Sequence, residues 1–234
     1  MIWVVDAVAS RAALRAGLLH CPDCRGALGP WATARARRIR VLDGRQVEVT
    51  PDRARCRACR RTHVLLPAQV VPRSGYSAGV IGAALLATAR GDSRPAVAAE
   101  LAVPTGTLRD WLRAARRGAT RLTAIAAQAA AGAGASIFDG RSTGSWLGSP
   151  LSEALDALGT AAKALARSTP APTGSHRGQA SGIDYLASLD TGRHHGLLHQ
   201  LRLADPGTSL GAAPPWHLAN VIARGQLITT ASSS

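Results

Sequence analysis

The sequence is that of an α+β chain: a small β-hairpin-rich ribbon first, then three helices, then a poorly ordered, partly helical C-terminal region. Three observations predict this. Two C-x2-C pairs bracket an alternating segment, the period turns helical from Ser77 onward, and the residues after 134 are rich in Ala, Gly, Ser and Pro. The expected division is 1–73, 74–131 and 132–234.

The elements follow in order. Ile2–Val5 is a short strand, and Ala7–Leu19 has helical spacing with Arg11 and Arg15 outside. Cys21-Pro22-Asp23-Cys24 is a tight turn. Thr33–Thr50 alternates polar residues with Ile39, Val41, Val47 and Val49 around Asp43-Gly44, a hairpin signal. After Cys56-Arg57-Ala58-Cys59, the apolar Val64–Val71 reads as a strand or extended exit broken by Pro67. Val80–Arg90 is a helix ended by Gly91, and Ser93 caps a second that starts Arg94-Pro95 and runs to Leu101. Ala102-Val103-Pro104 is the turn, and Thr105–Arg117 a third helix stopped by Gly118, with Thr120–Ala131 an Ala-rich continuation. Residues 132–149 read as a linker. Ser149-Pro150 opens a helix with Leu151, Leu155, Leu158 and Leu165 on one stripe, and Pro214–Ile228 holds a last short helix with Trp216. The remaining stretches, 168–181 and 229–234, are expected to be linker and tail.

The four cysteines are the most specific chemistry. Zn²⁺ takes four thiolates in a tetrahedron, and each C-x2-C turn offers two to one point, so Cys21, Cys24, Cys56 and Cys59 predict a structural zinc ribbon. Four thiolates leave no open position for catalysis. Redox thiols or unrelated buried cysteines are the alternative. His63, four residues past Cys59, is either a substitute ligand or a histidine at the start of a strand.

Charge supplies the second signal. The chain carries 28 Lys+Arg against 14 Asp+Glu, a net +14. It is uneven: 14 Arg against five acids in residues 1–73, seven against three in 74–134, and seven basic against six acidic after that. Part of the Arg excess reflects a GC-rich genome. Ten arginines surround the ribbon, at positions 35, 37, 38, 40, 45 and 53 together with Arg55, Arg57, Arg60 and Arg61. Phosphate contact is the economical explanation.

The stretch 94–117 fits a helix-turn-helix. Val97, Ala98 and Leu101 face inward, Val103 plugs the turn, and Leu108, Trp111, Leu112 and Ala115 form the buried stripe of the third helix. Thr105 or Thr107 at its start suits a phosphate oxygen, Arg109 and Arg113 suit groove contact, and Arg116 and Arg117 suit backbone. Double-stranded DNA is the expected partner. The competing reading is an ordinary helical bundle with solvated charges.

With these motifs placed, the chain resembles an uncharacterised bacterial family that pairs a zinc ribbon with a helix-turn-helix, similar to the DNA-binding front ends of insertion-sequence transposases. The residues that carry it are Cys21-Pro22-Asp23-Cys24, the run from Ala54 to Pro67, Val80–Leu86 and Leu108–Arg113. Residues 1–120 are covered, with a faint echo at Pro215–Asn220. The resemblance implies a mobile-element or regulatory context, zinc held by the four cysteines and DNA contact by the third helix.

Catalysis is not expected. A transposase needs three carboxylates around two metal ions, and no glutamate follows Glu153 to complete an Asp-Asp-Glu order. His195 and His199 have i, i+4 spacing, but Gly192 and Gly196 argue against a helix there. No small-molecule substrate is indicated. No window reaches membrane-spanning length, and the N-terminus lacks the basic flank of a secretory signal, so a cytoplasmic, nucleoid-associated bacterial protein is expected. The function expected is therefore a non-catalytic DNA-binding protein, a transcriptional regulator or transposition accessory. The alternatives are a protein-interaction module or degenerate transposase remnant, whose partner is a transposase or other protein, and, more weakly, RNA binding.

Overall fold

The computed structural model describes residues 1–133, 149–168 and 216–228, and it is a mixed α+β chain. Its elements begin with β1 (Ile2–Val4), α1 (Ala7–Arg15), β2 (Leu28–Thr33), β3 (Arg37–Arg40), β4 (Gln46–Val49), β5 (Asp52–Cys56) and β6 (Thr62–Pro67). Helices follow: α2 (Ala78–Ala89), α3 (Arg94–Glu100), α4 (Thr105–Gly132), α5 (Pro150–Ser168) and α6 (Trp216–Ile222). The described residues fall into two compact units, 1–36 with 50–67 and 167–168, and 37–49 with 68–133, 149–166 and 216–228.

The first unit is a four-stranded sheet in the order β1-β6-β5-β2, with β1 parallel to β6 and the other pairs antiparallel. Asp6 caps α1 by accepting from the N–H groups of Val8 (2.7 Å) and Ala9 (2.9 Å). The helix ends at Arg15, four residues short of the expected Leu19. Gly17 takes a left-handed φ of 72°, and Leu18 N–H folds back on the Ala13 carbonyl at 2.9 Å. Ile2, Val4, Leu14, Leu28, Ala54 and Leu65 form the core together with two of the cysteines, Cys21 and Cys56. A core this small needs a further staple.

β2 and β5 are not evident in the sequence. Leu28-Gly29-Pro30 and Asp52-Arg53-Ala54-Arg55 have little strand propensity, and their pairing with each other creates them. Pro30 is tolerated because β2 is the edge strand.

In the second unit, β3 and β4 form the expected hairpin, with Arg37 opposite Val49 and Ile39 opposite Val47. Gly44 turns it at φ 81°. Ile39 and Val49 are buried. Ser77 caps α2 and Ser93 caps α3, whose first turn holds Pro95, while Gly91 breaks the chain between them at φ 101°. α2, α3 and α4 pack on one another.

The third helix does not stop at Gly118. α4 runs unbroken for 28 residues with Gly118 buried inside it. Its apolar stripe continues through Ala119, Leu122, Ala126 and Ala130, and that packing outweighs the propensity cost of about 1 kcal/mol for one glycine. The stripe of α5 is buried as its spacing predicts. α6 rests on α2, where Trp216 lies over Gly82. Asn220, fully buried, donates through Nδ2 to the carbonyls of Ala68 (2.7 Å) and Val70 (3.2 Å). The sequence expectations for 134–149, 169–181, the His195/His199 pair and 229–234 lie almost wholly outside the described residues.

Candidate functional site

Two turns of the same shape carry the cysteines. In the first, Cys21 N–H donates to the Gly26 carbonyl at 2.8 Å and Arg25 sits at φ 60°. In the second, Cys56 N–H donates to the Arg61 carbonyl at 2.9 Å and Arg60 sits at φ 65°. Each turn thus closes five residues past its first cysteine, with an arginine in the left-handed region just before closure. Left-handed backbone costs a non-glycine residue energy, and here it aims the second cysteine of each pair back at the first.

The pairing of β2 with β5 sets Leu28 opposite Cys56 and brings the turns together. Gly26 permits the approach: a Cβ there would stand 2.7 Å from Ala58 Cβ and 3.1 Å from Cys56 Sγ. All four sulfurs lie within 4.8 Å of one another, with Cys21–Cys59 at 3.7 Å and Cys24–Cys56 at 3.4 Å. A tetrahedron with metal–sulfur bonds of about 2.3 Å has edges of about 3.8 Å, so the cluster has the size of a metal site. Cys21 and Cys56 are buried, Cys24 and Cys59 exposed. Burial works against ionisation of Cys56, but hydrogen bonds from the Cys59 and Ala58 backbone and from Cys24 draw it down to about 6. Cys59 is pushed up to about 12: its backbone bond from Arg61 lowers it, and the crowding of Cys24, Cys56 and Cys21 with burial outweighs that. Four sulfurs this close together repel one another once ionised. The cluster is compatible with a metal site, and a bound metal ion would relieve that repulsion.

His63 is buried, 5% exposed, with Nε2 3.3 Å from Cys21 Sγ and 3.9 Å from Asp23 Oδ2. Burial lowers its pKa, with the chain's N-terminal charge adding to the effect and Asp23 opposing it. The ring nitrogen is within hydrogen-bond reach of the Cys21 sulfur, so His63 stands directly beside the four-sulfur cluster. Asp23 also pairs with Arg61 at 3.1 Å and ties one turn to the other.

The arginines are divided differently from the sequence expectation of one basic ribbon. Arg35, Arg53, Arg55, Arg57, Arg60 and Arg61 belong to the first unit, whereas Arg37, Arg38, Arg40 and Arg45 belong with the helices of the second. Arg57 and Arg60 are exposed. Arg55 is engaged, its guanidinium 4.4 Å over the Trp31 ring and its Nε on the Arg60 carbonyl at 3.3 Å. Arg45 is held by Asp43 at 2.7 Å, whose carboxyl pKa is lowered by the Arg45 backbone N–H and side chain.

The inward and outward faces of α3 and α4 fall where the spacing puts them. Val97, Ala98, Val103, Leu108, Trp111, Leu112 and Ala115 are buried, and Leu101 is half-buried. Thr105, Arg109, Arg113, Arg116 and Arg117 are exposed, and Thr107 is half-buried. The turn takes Ala102 at φ 48°, with Val103 N–H on the Ala98 carbonyl at 2.9 Å. Tyr76 meets Trp111 edge-on at 5.1 Å, so that indole is a packing residue. Arg113 is not free on its face: it binds Asp110 at 3.2 Å. Arg40, one of the ten arginines read as phosphate contacts, makes a bond that the sequence reading did not foresee. Its Nη1 donates to the Ala102 carbonyl at 2.7 Å, which joins the hairpin to the α3–α4 turn. No short-range pattern announces a bond across 62 residues.

No helix among the described residues is long and apolar enough to cross a membrane. A family model described as a domain of unknown function, DUF6431, matches residues 21–111, from the first cysteine to Trp111. No curated protein and no solved structure matches the chain.

Proposed function

We propose that this chain is a non-catalytic protein that binds double-stranded DNA, with a zinc ribbon as scaffold and α3–α4 as a helix-turn-helix. The observation that carries the reading is the two-faced α4. Its apolar stripe is sealed against the preceding helices, while Thr105, Arg109, Arg113, Arg116 and Arg117 face outward from its first half. Recognition helices need that division. The tight turn before it, pinned by Arg40, supports the same reading.

Zinc is the favoured metal, because an all-sulfur tetrahedral set of this size suits Zn²⁺ and leaves no open position. Its role is to fold the ribbon, with Arg55, Arg57, Arg60 and Arg61 supplying phosphate-directed charge around it. The resemblance to transposase front ends supports a part in transposition or transcription control.

A salt-titrated mobility-shift assay on random genomic duplexes tests this. Affinity is expected to fall steeply with salt while particular sequences are enriched. Arg113→Ala is expected to cost about 1–3 kcal/mol on an enriched sequence and to relax preference there. Releasing Arg113 from exposed Asp110 opposes this by less than about 1 kcal/mol, so the pair is no obstacle to groove contact. Arg57→Ala is expected to weaken all duplexes alike and flatten the salt slope by about 0.9. No binding at low salt, or identical behaviour of the two variants, would overturn the proposal.

A further inference from the structure

One indole in the first unit stands outside any core. Trp31 is 55% exposed, although large aromatics normally bury. It occupies the irregular position of β2: Pro30 pairs with Ala54 and Ala32 with Arg53, so Trp31 is the unpaired residue of a β-bulge on the edge strand. Bulges re-aim side chains and recur beside functional sites. Arg55 lies over this ring at 4.4 Å and is itself fixed to the Arg60 carbonyl, so the indole is presented as a braced platform.

Beside the platform runs an open cleft of about 460 Å³ between α1 and the β2–β5 ladder. Its lining residues include Trp31 and three arginines, Arg11, Arg15 and Arg53, with one acidic residue, Asp52. Arg11 engages that carboxylate at 3.0 Å, which leaves the cleft positive through Arg15 and Arg53. A flat aromatic surface next to a cationic cleft of this size matches one nucleotide of a strand: the base stacks and the flanking phosphates meet the arginines. Duplex DNA does not satisfy it, because paired bases keep their faces inside the stack.

We propose that Trp31 and the cleft of Arg11, Arg15 and Arg53 form a binding site for single-stranded nucleic acid, taking an unpaired base on the indole and its phosphates on Arg15 and Arg53. This goes beyond the duplex reading, since Trp31, Arg11, Arg15 and Arg53 are not among the residues proposed to contact the duplex.

The test is binding of the full-length, metal-loaded protein to a short oligothymidylate, to an oligothymidylate–oligoadenylate duplex and to thymidine monophosphate, followed by fluorescence anisotropy or intrinsic tryptophan quenching. Stacking on one aromatic contributes about 1–3 kcal/mol per base, so Trp31→Ala is expected to weaken oligothymidylate binding roughly 5- to 150-fold. Duplex affinity should change less than about twofold, and Trp31→Phe should retain most of the single-strand affinity. Arg15→Gln with Arg53→Gln should flatten the single-strand salt slope by about 1.4. Arg113→Ala should leave oligothymidylate binding unchanged, which separates failure here from failure of the duplex proposal. Wild-type oligothymidylate affinity in Trp31→Ala, an equal loss on duplex and single strand, or an unaltered salt slope in the double arginine variant would each overturn the site. Mononucleotide binding as tight as the oligomer's would overturn the strand as its ligand. Should Trp31→Ala lose metal or fold, Trp31→Phe and the arginine pair carry the test.

Discussion

Cys56→Ser is expected to abolish stoichiometric metal binding and to unfold the four-stranded sheet of the first unit. Cys56 is at once a proposed ligand, a member of the small core and the partner of Leu28 in the β2–β5 ladder. Structural metal sites in small ribbons contribute binding energy on the order of 10 kcal/mol to folding. The apolar core of this unit cannot replace that. Elemental analysis should find one metal ion per wild-type chain and none in the variant. Chelation of the wild type should remove the sheet's circular dichroism while much of the helical signal of the second unit persists. Because protons compete with metal for sulfur, the metal should bind more weakly as pH falls. Retention of one metal ion and an intact sheet in Cys56→Ser would show that the four sulfurs are not the site.

The second large effect is expected at Gly82→Ala. A Cβ on this residue of α2 would overlap Cγ, Cδ2 and Cε3 of Trp216. Neither partner has room to yield, because Gly82 sits inside a buried helix face and Trp216 is only 5% exposed. Overpacking of this kind costs about 1–3 kcal/mol and occasionally more. Here the loss should reach the upper end, since displacing α6 also breaks the Asn220 bonds to Ala68 and Val70 and strands two buried carbonyls. Thermal unfolding should report the destabilisation, and tryptophan emission should shift to the red as Trp216 meets water. In a Trp216→Ala background the same glycine substitution should cost much less. A neutral Gly82→Ala would mean that α6 is not seated on α2.

What could be read from the sequence was local. C-x2-C spacing, Asp43-Gly44, the Ser93-Arg94-Pro95 start and Gly91 each encode one turn or cap within a few residues, and each lies where that encoding puts it. The inward stripe of α4 was legible because helical periodicity repeats over many residues. Gly118 misled because its propensity was read without the packing stripe that continues beyond it. β2 and β5 were hidden, since Leu28–Thr33 and Asp52–Cys56 are strands only in each other's presence. The same holds for Trp31, whose bulge exists only once that register is formed, and for the niche above Gly82, whose occupant lies far along the chain. Arg40 looked like one of ten similar arginines until the fold gave it a single carbonyl to serve.

The hairpin of β3 and β4 is encoded between β2 and β5 but belongs with the helices of the second unit. Its two ends leave the first unit side by side, where Ala34 N–H meets the Pro51 carbonyl at 2.7 Å. Once the ribbon has folded, the hairpin is a closed loop whose ends have already been brought together. The entropy of that closure, which scales with the logarithm of loop length, has then been spent by the folded sheet. Folding of the sheet thereby shortens the free chain between Arg40 and the Ala102 carbonyl that it serves. An ion held by the four cysteines, by folding the ribbon as proposed, would then favour the helices through the chain alone. Dividing the gene at residue 73, with the hairpin left on the ribbon side, should yield a helical fragment less stable than the intact chain.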